Sequence, residues 1–238
     1  MAEWIVFILG LIGTTAFAIS GVMVAIDKEL DLLGVIVLGV VTSVGGGMIR
    51  DVLLGLTPPT MFLKPIYVAV AFAVSLTAFF AAYLYHGFME KNLEDKGQDK
   101  RLRQKKLHEK LLREKLLNEN VLNIFDAIGL GIFVTLGVDT AIQNGYADNH
   151  FLSIFVGVIT GVGGGLLRDM MAGEIPIILR KRVYAVAALG GAALYFLLYY
   201  SMKMNRVFSL FAAAVLTVMI RLLAARFGWN LPRIRKQP

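Results

Sequence analysis

The phrase Gly-Gly-Gly, two apolar residues, Arg-Asp occurs twice in this chain. It runs Gly45-Gly46-Gly47-Met48-Ile49-Arg50-Asp51 in the first copy and Gly163-Gly164-Gly165-Leu166-Leu167-Arg168-Asp169 in the second. Both copies lie inside long apolar stretches. Each glycine in a helix interior weakens it by roughly 1 kcal/mol relative to alanine, and charge in hydrocarbon costs about 2.5–3.5 kcal/mol per residue on insertion scales. Two matching costs mark a site rather than an accident, and interrupted helices in corresponding halves point to a transport pathway.

The apolar context is general. Of 238 residues, 57% are hydrophobic and 17% charged, and the mean hydropathy is +0.69, whereas a soluble domain carries about 25% charged residues. An integral membrane protein is expected. With no cysteine, disulfides, thiolate metal sites and cysteine nucleophiles are excluded. His86, His108 and His150 are scattered, so neither a metal nor a cofactor is expected. The net charge of +7 does not indicate nucleic acid, because the basic residues flank apolar runs. Met1-Ala2-Glu3-Trp4 lacks the basic start of a signal peptide, so the first apolar run reads as a retained span.

A span needs about 20 predominantly apolar residues, and seven segments qualify: about 4–26, 33–55, 65–87, 121–142, 151–172, 183–201 and 206–226. Placing the C-terminus inside puts 18 Lys and Arg residues in cytoplasmic segments and 3 (Lys64, Lys203, Arg206) outside. The positive-inside rule then sets the N-terminus outside and the C-terminus in the cytoplasm of a multi-pass cell-membrane protein. Residues 88–120 differ in kind, with ten basic and seven acidic residues and good helix formers from Arg101 onward. They read either as a solvated cytoplasmic helix running into the fourth span or as a short self-associating or lipid-touching one.

The two motifs align at an offset of 118 residues, which also pairs Gly39 with Gly157, Thr42 with Thr160 and Gly55 with Gly173. With a two-residue adjustment upstream, Gly13, Phe17, Gly21 and Ala25 match Gly129, Phe133, Gly137 and Ala141. Downstream, Pro59 and Tyr67 match Pro176 and Tyr184. The expected fold is all-α, with seven transmembrane helices: two inverted three-helix repeats plus one extra helix. An odd number of spans per repeat forces the copies into opposite orientations, with the site near mid-membrane. The organisation is residues 1–87 for the first repeat, 88–120 for the charged linker, 121–201 for the second repeat, and 202–238 for the last helix and a basic tail.

Glycine runs that break two facing helices would free carbonyls to replace part of a cation's hydration shell. Close helix packing is the competing reading, and Gly157-x-x-x-Gly161 and Gly161-x-x-x-Gly165 fit its small-residue pattern. The symmetry of the two runs favours the pathway. Arg50 and Asp51 are adjacent and do not face each other on a helix, so each is expected to need another partner. Arg50 and Arg168 are expected to be held by freed carbonyls and by carboxylates, one towards each face, and to gate the path. The pathway set is therefore Gly45, Gly46, Gly47, Arg50, Asp51, Gly163, Gly164, Gly165, Arg168 and Asp169, with Thr42, Thr160 and Asp126 beside them. Asp126 reads alternatively as a helix cap, and Ser43 and the two threonines as backbone-bonded. Arg221 is expected to snorkel to the inner surface, Arg180-Lys181-Arg182 to meet anionic lipid headgroups, and Pro58-Pro59 and Pro176 to stop the helices that follow each motif.

The doubled motif, with Gly157-Val158-Ile159-Thr160-Gly161-Val162 before the second copy and Glu174-Ile175-Pro176-Ile177-Ile178-Leu179 after it, resembles the bacterial UPF0126 family. That family carries the glycine transporter domain label and is related to the trimeric intracellular cation (TRIC) channels. The resemblance implies a homotrimer with a pore in each protomer, lined by the second and fifth helices. Two departures stand out. The linker is long for the family, and Gly10 stands where the repeat places Asp126, so acidic symmetry is lost.

Passive conduction of small monovalent cations, potassium foremost, is the leading expectation. A carrier for a small zwitterion such as glycine is the alternative, since arginine and carboxylate together suit both of its ends. An enzyme is not expected: Gly161-x-Gly163 begins like a dinucleotide fingerprint but lacks the later glycine. A nonconducting scaffold using the linker is the remaining reading.

Overall fold

The computed structural model describes residues 2–94, 100–180 and 183–229, and all regular structure among them is helical. Among the described residues, seven helices are long and apolar enough to cross a membrane. They are Ala2–Asp27 (α1), Leu32–Leu53 (α2), Ile66–Tyr85 within α4 (Ile66–Glu94), Glu119–Tyr146 at the end of α5 (Lys100–Ala141) with the π turn that follows, His150–Met171 (α6), Val183–Ser201, which is α8 (Val183–Phe196) and another π turn, and Arg206–Arg226 (α9). Two single-turn helices, Thr60–Leu63 (α3) and Ile177–Arg180 (α7), follow the motif helices. The protein is a multi-pass α-helical membrane protein. Because α5 is continuous, the linker helix runs directly into the fourth span.

Side-chain caps define where several spans begin. The Asp31 carboxylate accepts from the Gly34 amide at 2.7 Å and the Asn149 side chain from Leu152 at 3.0 Å, each satisfying an amide that the helix leaves unpaired. The helices α2 and α6 end alike. Gly55 and Gly173 take positive φ (+68° and +69°), while the amides of Leu56 and Glu174 reach back to the carbonyls of Asp51 and Asp169 at 2.8 and 2.9 Å. This Schellman turn uses glycine because a side chain is strained in the left-handed region. The expectation that prolines stop the helices that follow each motif is corrected. The glycines end α2 and α6, and Pro59 and Pro176 stand one residue before α3 and α7, where a missing amide is harmless.

The glycine triplets also behave differently from the expectation of broken helices. Gly45–Gly47 and Gly163–Gly165 are helical throughout. Their function in the fold is contact: α2 and α6 cross there backbone to backbone. A Cβ on Gly46 would overlap the Thr160 carbonyl oxygen, one on Gly164 would overlap that of Thr42, and one on Gly163 would stand 3.1 Å from the Gly46 Cα. The same logic holds each motif helix to its own repeat. Gly21 meets Gly39 between α1 and α2, and Gly137 meets Gly157 between α5 and α6. Without a hydrophobic drive between helices in lipid, association depends on such close packing, and the i→i−4 ladder remains intact because no carbonyl has to leave it.

Gly46→Ala and Gly164→Ala should therefore each lower thermal stability in detergent, by about 1–3 kcal/mol for overpacking. At Gly190 the nearest atom to an added Cβ is 3.9 Å away, so Gly190→Ala should melt at or above the wild-type temperature.

Candidate functional site

Each Arg-Asp pair closes on itself. Arg50 donates from Nε to Asp51 Oδ1 at 2.8 Å, and its Nη2 lies 2.7 Å from the same oxygen. Arg168 repeats this on Asp169 Oδ1 at 2.9 and 2.8 Å. The expectation that neighbours on a helix cannot pair is corrected, because the long arginine stem lets the guanidinium curl back to the next residue. The other carboxylate oxygen is equally busy. Asp51 Oδ2 accepts from the Thr60 amide and Asp169 Oδ2 from the Ile177 amide, both at 2.7 Å. Each aspartate thus joins its arginine to the first turn of the short helix beyond. No described hydrogen bond takes either guanidinium to a glycine carbonyl, so carboxylates rather than freed backbone hold them.

Beyond this shared device the two half-sites diverge. Arg168 is 1% exposed, and its Nη1 donates to Asp126 Oδ1 at 2.9 Å and to the Ser20 hydroxyl. Two carboxylates and a hydroxyl therefore hold one guanidinium, which meets the requirement that a charge in the bundle be paired. Tyr184 and Arg221 complete this cluster, with the guanidinium of Arg221 5.0 Å from the ring centre of Tyr184. Arg221 donates to Asn123 at 3.2 Å and is 2% exposed, so it does not snorkel as expected. Asp126 lies deep within α5 and is no helix cap.

The walls around Arg168 are Val162, Gly165, Leu166, Asp169, Ile177, Ile178 and Tyr184, and they leave no room for a water. Their repeat counterparts, Val44, Gly47, Met48, Asp51, Thr60, Met61 and Tyr67, surround Arg50 and line a cavity of about 300 Å³. Roughly 10–15 Å³ suffices for one water, so this chamber has room for several. One half-site is open and its symmetry mate is shut. The open one lies on the face where the chain begins, because Glu3, Lys64 and Arg206 also line it.

Thr42, Ser43 and Thr160 return their hydroxyls to the carbonyls of Leu38, Gly39 and Val156 at 2.6, 2.7 and 2.6 Å. Among these three only Ser43 borders the chamber, and Gly47 alone of the glycine triplets does so. Arg180 is exposed and lies 3.7 Å from Glu174; Lys181 and Arg182 fall outside the described residues. Glu174 also takes Lys28 at 2.7 Å, which holds its carboxyl below the ordinary range. That tie between the α1–α2 and α6–α7 turns is present above the ordinary carboxylate range and is lost as pH falls.

Sequence reasoning missed a third arginine–aspartate fork. Arg206 at the start of α9 donates to Asp139 Oδ1 and Oδ2 at 2.8 and 2.7 Å, Tyr195 donates to the same carboxylate at 2.7 Å, and Glu3 pairs with Arg206. Asp139 is 2% exposed. An aspartate within an apolar span was the available signal, but its partner is 67 positions away.

An inverted-repeat helical bundle with a polar chamber reaching its central crossing is the architecture of a membrane transport protein. The glycine transporter family profile matches residues 7–83 and 123–200, one stretch in each half. The inner membrane protein YadS of Escherichia coli K12, of the UPF0126 family, is 36% identical over 228 residues, 96% of this chain and 95% of its own length. The Bacillus subtilis membrane protein YvgT is 33% identical over 94% of both chains. The chain belongs to this UPF0126, glycine transporter domain family. Its fold is also that of the TRIC channels. A solved TRIC cation channel structure superposes with a TM-score of 0.75 at 34% identity, covering 97% of this chain and 98% of its own. The TRIC trimeric intracellular cation channel orthologue of Rhodobacter sphaeroides gives 0.75 at 31% identity, covering 94% and 99%.

The unequal pairing of the two motif arginines predicts unequal mutational effects. Asp169→Asn breaks a fully buried network and should lower stability by about 3–5 kcal/mol. Asp51→Asn, beside a chamber roomy enough for water to solvate Arg50, should lower it by less, as thermal melts of the two variants would show.

Proposed function

We propose that this protein is a channel that passively conducts small monovalent cations, potassium foremost, through a pore in each protomer of a homotrimer. It lies in the cell membrane with its N-terminus outside and C-terminus in the cytoplasm. The observation that carries this reading is the likeness, over nearly the whole chain, to structures of TRIC cation channels. The chamber supports it. Its lining acids Glu3, Asp51 and Asp139 match its lining bases Arg50, Lys64 and Arg206 in number, so a cation entering it meets no net positive wall.

In this reading the pathway runs from the chamber past Gly47 and the α2–α6 crossing towards Arg168. Gly45–Gly47, Gly163–Gly165, Thr42, Thr160 and the two Arg-Asp pairs form its middle, and the Arg168–Asp126–Asp169 cluster is its barrier. The basic run Arg180-Lys181-Arg182 is assigned in the same reading to contact with anionic lipid headgroups. A carrier for a small zwitterion such as glycine is the second reading. It is favoured by the family's description and by a chamber open at one face and shut at its symmetry mate, as alternating access requires.

Purified protein in planar bilayers should carry a cation current that follows potassium substitution. Arg50→Gln and Arg168→Gln should each change conductance or voltage dependence several-fold. Saturable uptake of radiolabelled glycine into liposomes, with no current in the same preparation, would replace the channel by the carrier.

A further inference from the structure

The repeat supplies its own template for a ligand. In the shut half-site the guanidinium of Arg168 holds two carboxylates: Asp169 on Nε and Nη2, and Asp126 on Nη1 at 2.9 Å. In the open half-site Arg50 holds one, Asp51, on the same two nitrogens. The repeat counterpart of Asp126 is Gly10, and that of Ser20, the other Nη1 partner, is Leu136. Both Gly10 and Leu136 line the chamber. The region that the Asp126 carboxylate fills in one half is shared in the other between the chamber and the ring of Tyr67, which stands over Gly10, and it adjoins an arginine with no second carboxylate among the described residues.

We propose that the chamber is a binding site for a small carboxylate. The anion sits on Nη1 of Arg50 where symmetry puts the Asp126 carboxylate, with Gly10 and Tyr67 at its back. An Arg–carboxylate pair out of bulk water is among the stronger polar contacts available. The about 300 Å³ of space admits acetate or an amino acid. The chamber's acids are taken up by Arg50 and Arg206, which leaves Lys64, exposed on the same wall, with no ion pair among the described residues. A bound carboxylate places a negative charge beside Arg50 and makes the open half-site electrostatically like the shut one. The proposal rests on the half-site geometry and not on conduction.

Thermal unfolding of the purified full-length protein, titrated with sodium acetate, sodium chloride at equal ionic strength, and glycine, tests this. Acetate should raise the melting temperature saturably and chloride should not. A matching response to glycine identifies the carboxylate as the recognised group, and a response to glycine alone identifies a zwitterion carrying it. Gly10→Asp supplies the carboxylate from within the chain. It should melt higher than wild type without ligand, once the ring of Tyr67, 3.0 Å from an added Cβ, has moved aside, and it should lose the ligand response. Arg50→Gln should lose the response as well. The site is ruled out if wild type shows no saturable shift with either carboxylate, if chloride matches them, or if a folded Gly10→Asp protein responds as wild type does. Bilayer currents from the same preparation report on conduction separately, so either idea can fail alone.

Discussion

Two helices that touch through their backbones leave few ways for the rest of the bundle to arrange itself. The α2–α6 crossing, with Gly46 against the Thr160 carbonyl and Gly164 against that of Thr42, lies on the pseudo-two-fold relation between the halves. Any Cβ there would push the helices apart and separate the repeats. With the crossing in place, the residues one turn further along each helix emerge on opposite sides of it. That is how Arg50 and Arg168, equivalent in sequence, come to face opposite ends of the molecule. Small residues serve here as the contact surface itself, the condition that governs helix association in lipid.

On this scaffold the same small machine is built twice. A glycine with positive φ turns the chain after each motif helix, and the aspartate holds the arginine with one oxygen and the next helical turn with the other. Burying a guanidinium and a carboxylate is tolerable because each is paired with the other at hydrogen-bonding distance and both aspartate oxygens are engaged. The machine also ties the glycine-crossed helices to the short helices at the membrane faces. A change at either turn therefore acts on the arginine.

The halves differ where the template is broken. Asp126 and Ser20 draw Arg168 into a cluster too tight for water, while Gly10 and Leu136 leave Arg50 beside a chamber. The two equivalent arginines therefore differ in surroundings, one beside a cavity and the other sealed. Asp139, held by Arg206 and Tyr195, fastens the seventh helix to the rim of the open side. The helix outside the repeat thereby becomes part of the chamber wall.

The seven spans and the doubled three-helix unit were legible because hydrocarbon thickness and repeat spacing are properties of the chain alone. The loss of an acid at Gly10 was legible for the same reason. Which way the glycines act was not. A triplet can break a helix or let another helix lie against it, and the choice depends on what stands opposite, here a second triplet 118 positions away. Nor could adjacency show that Arg50 would fold back onto Asp51, since that depends on side-chain reach and on the amide of Thr60 fixing the carboxylate. The burial of Arg221 and the union of Asp139 with Arg206 were decided by helices meeting across the bundle. Composition and repetition settled that the chain crosses a membrane as two opposed halves. Only packing in three dimensions decided which half stands open, because an opening is a relation between surfaces rather than a property of any one segment.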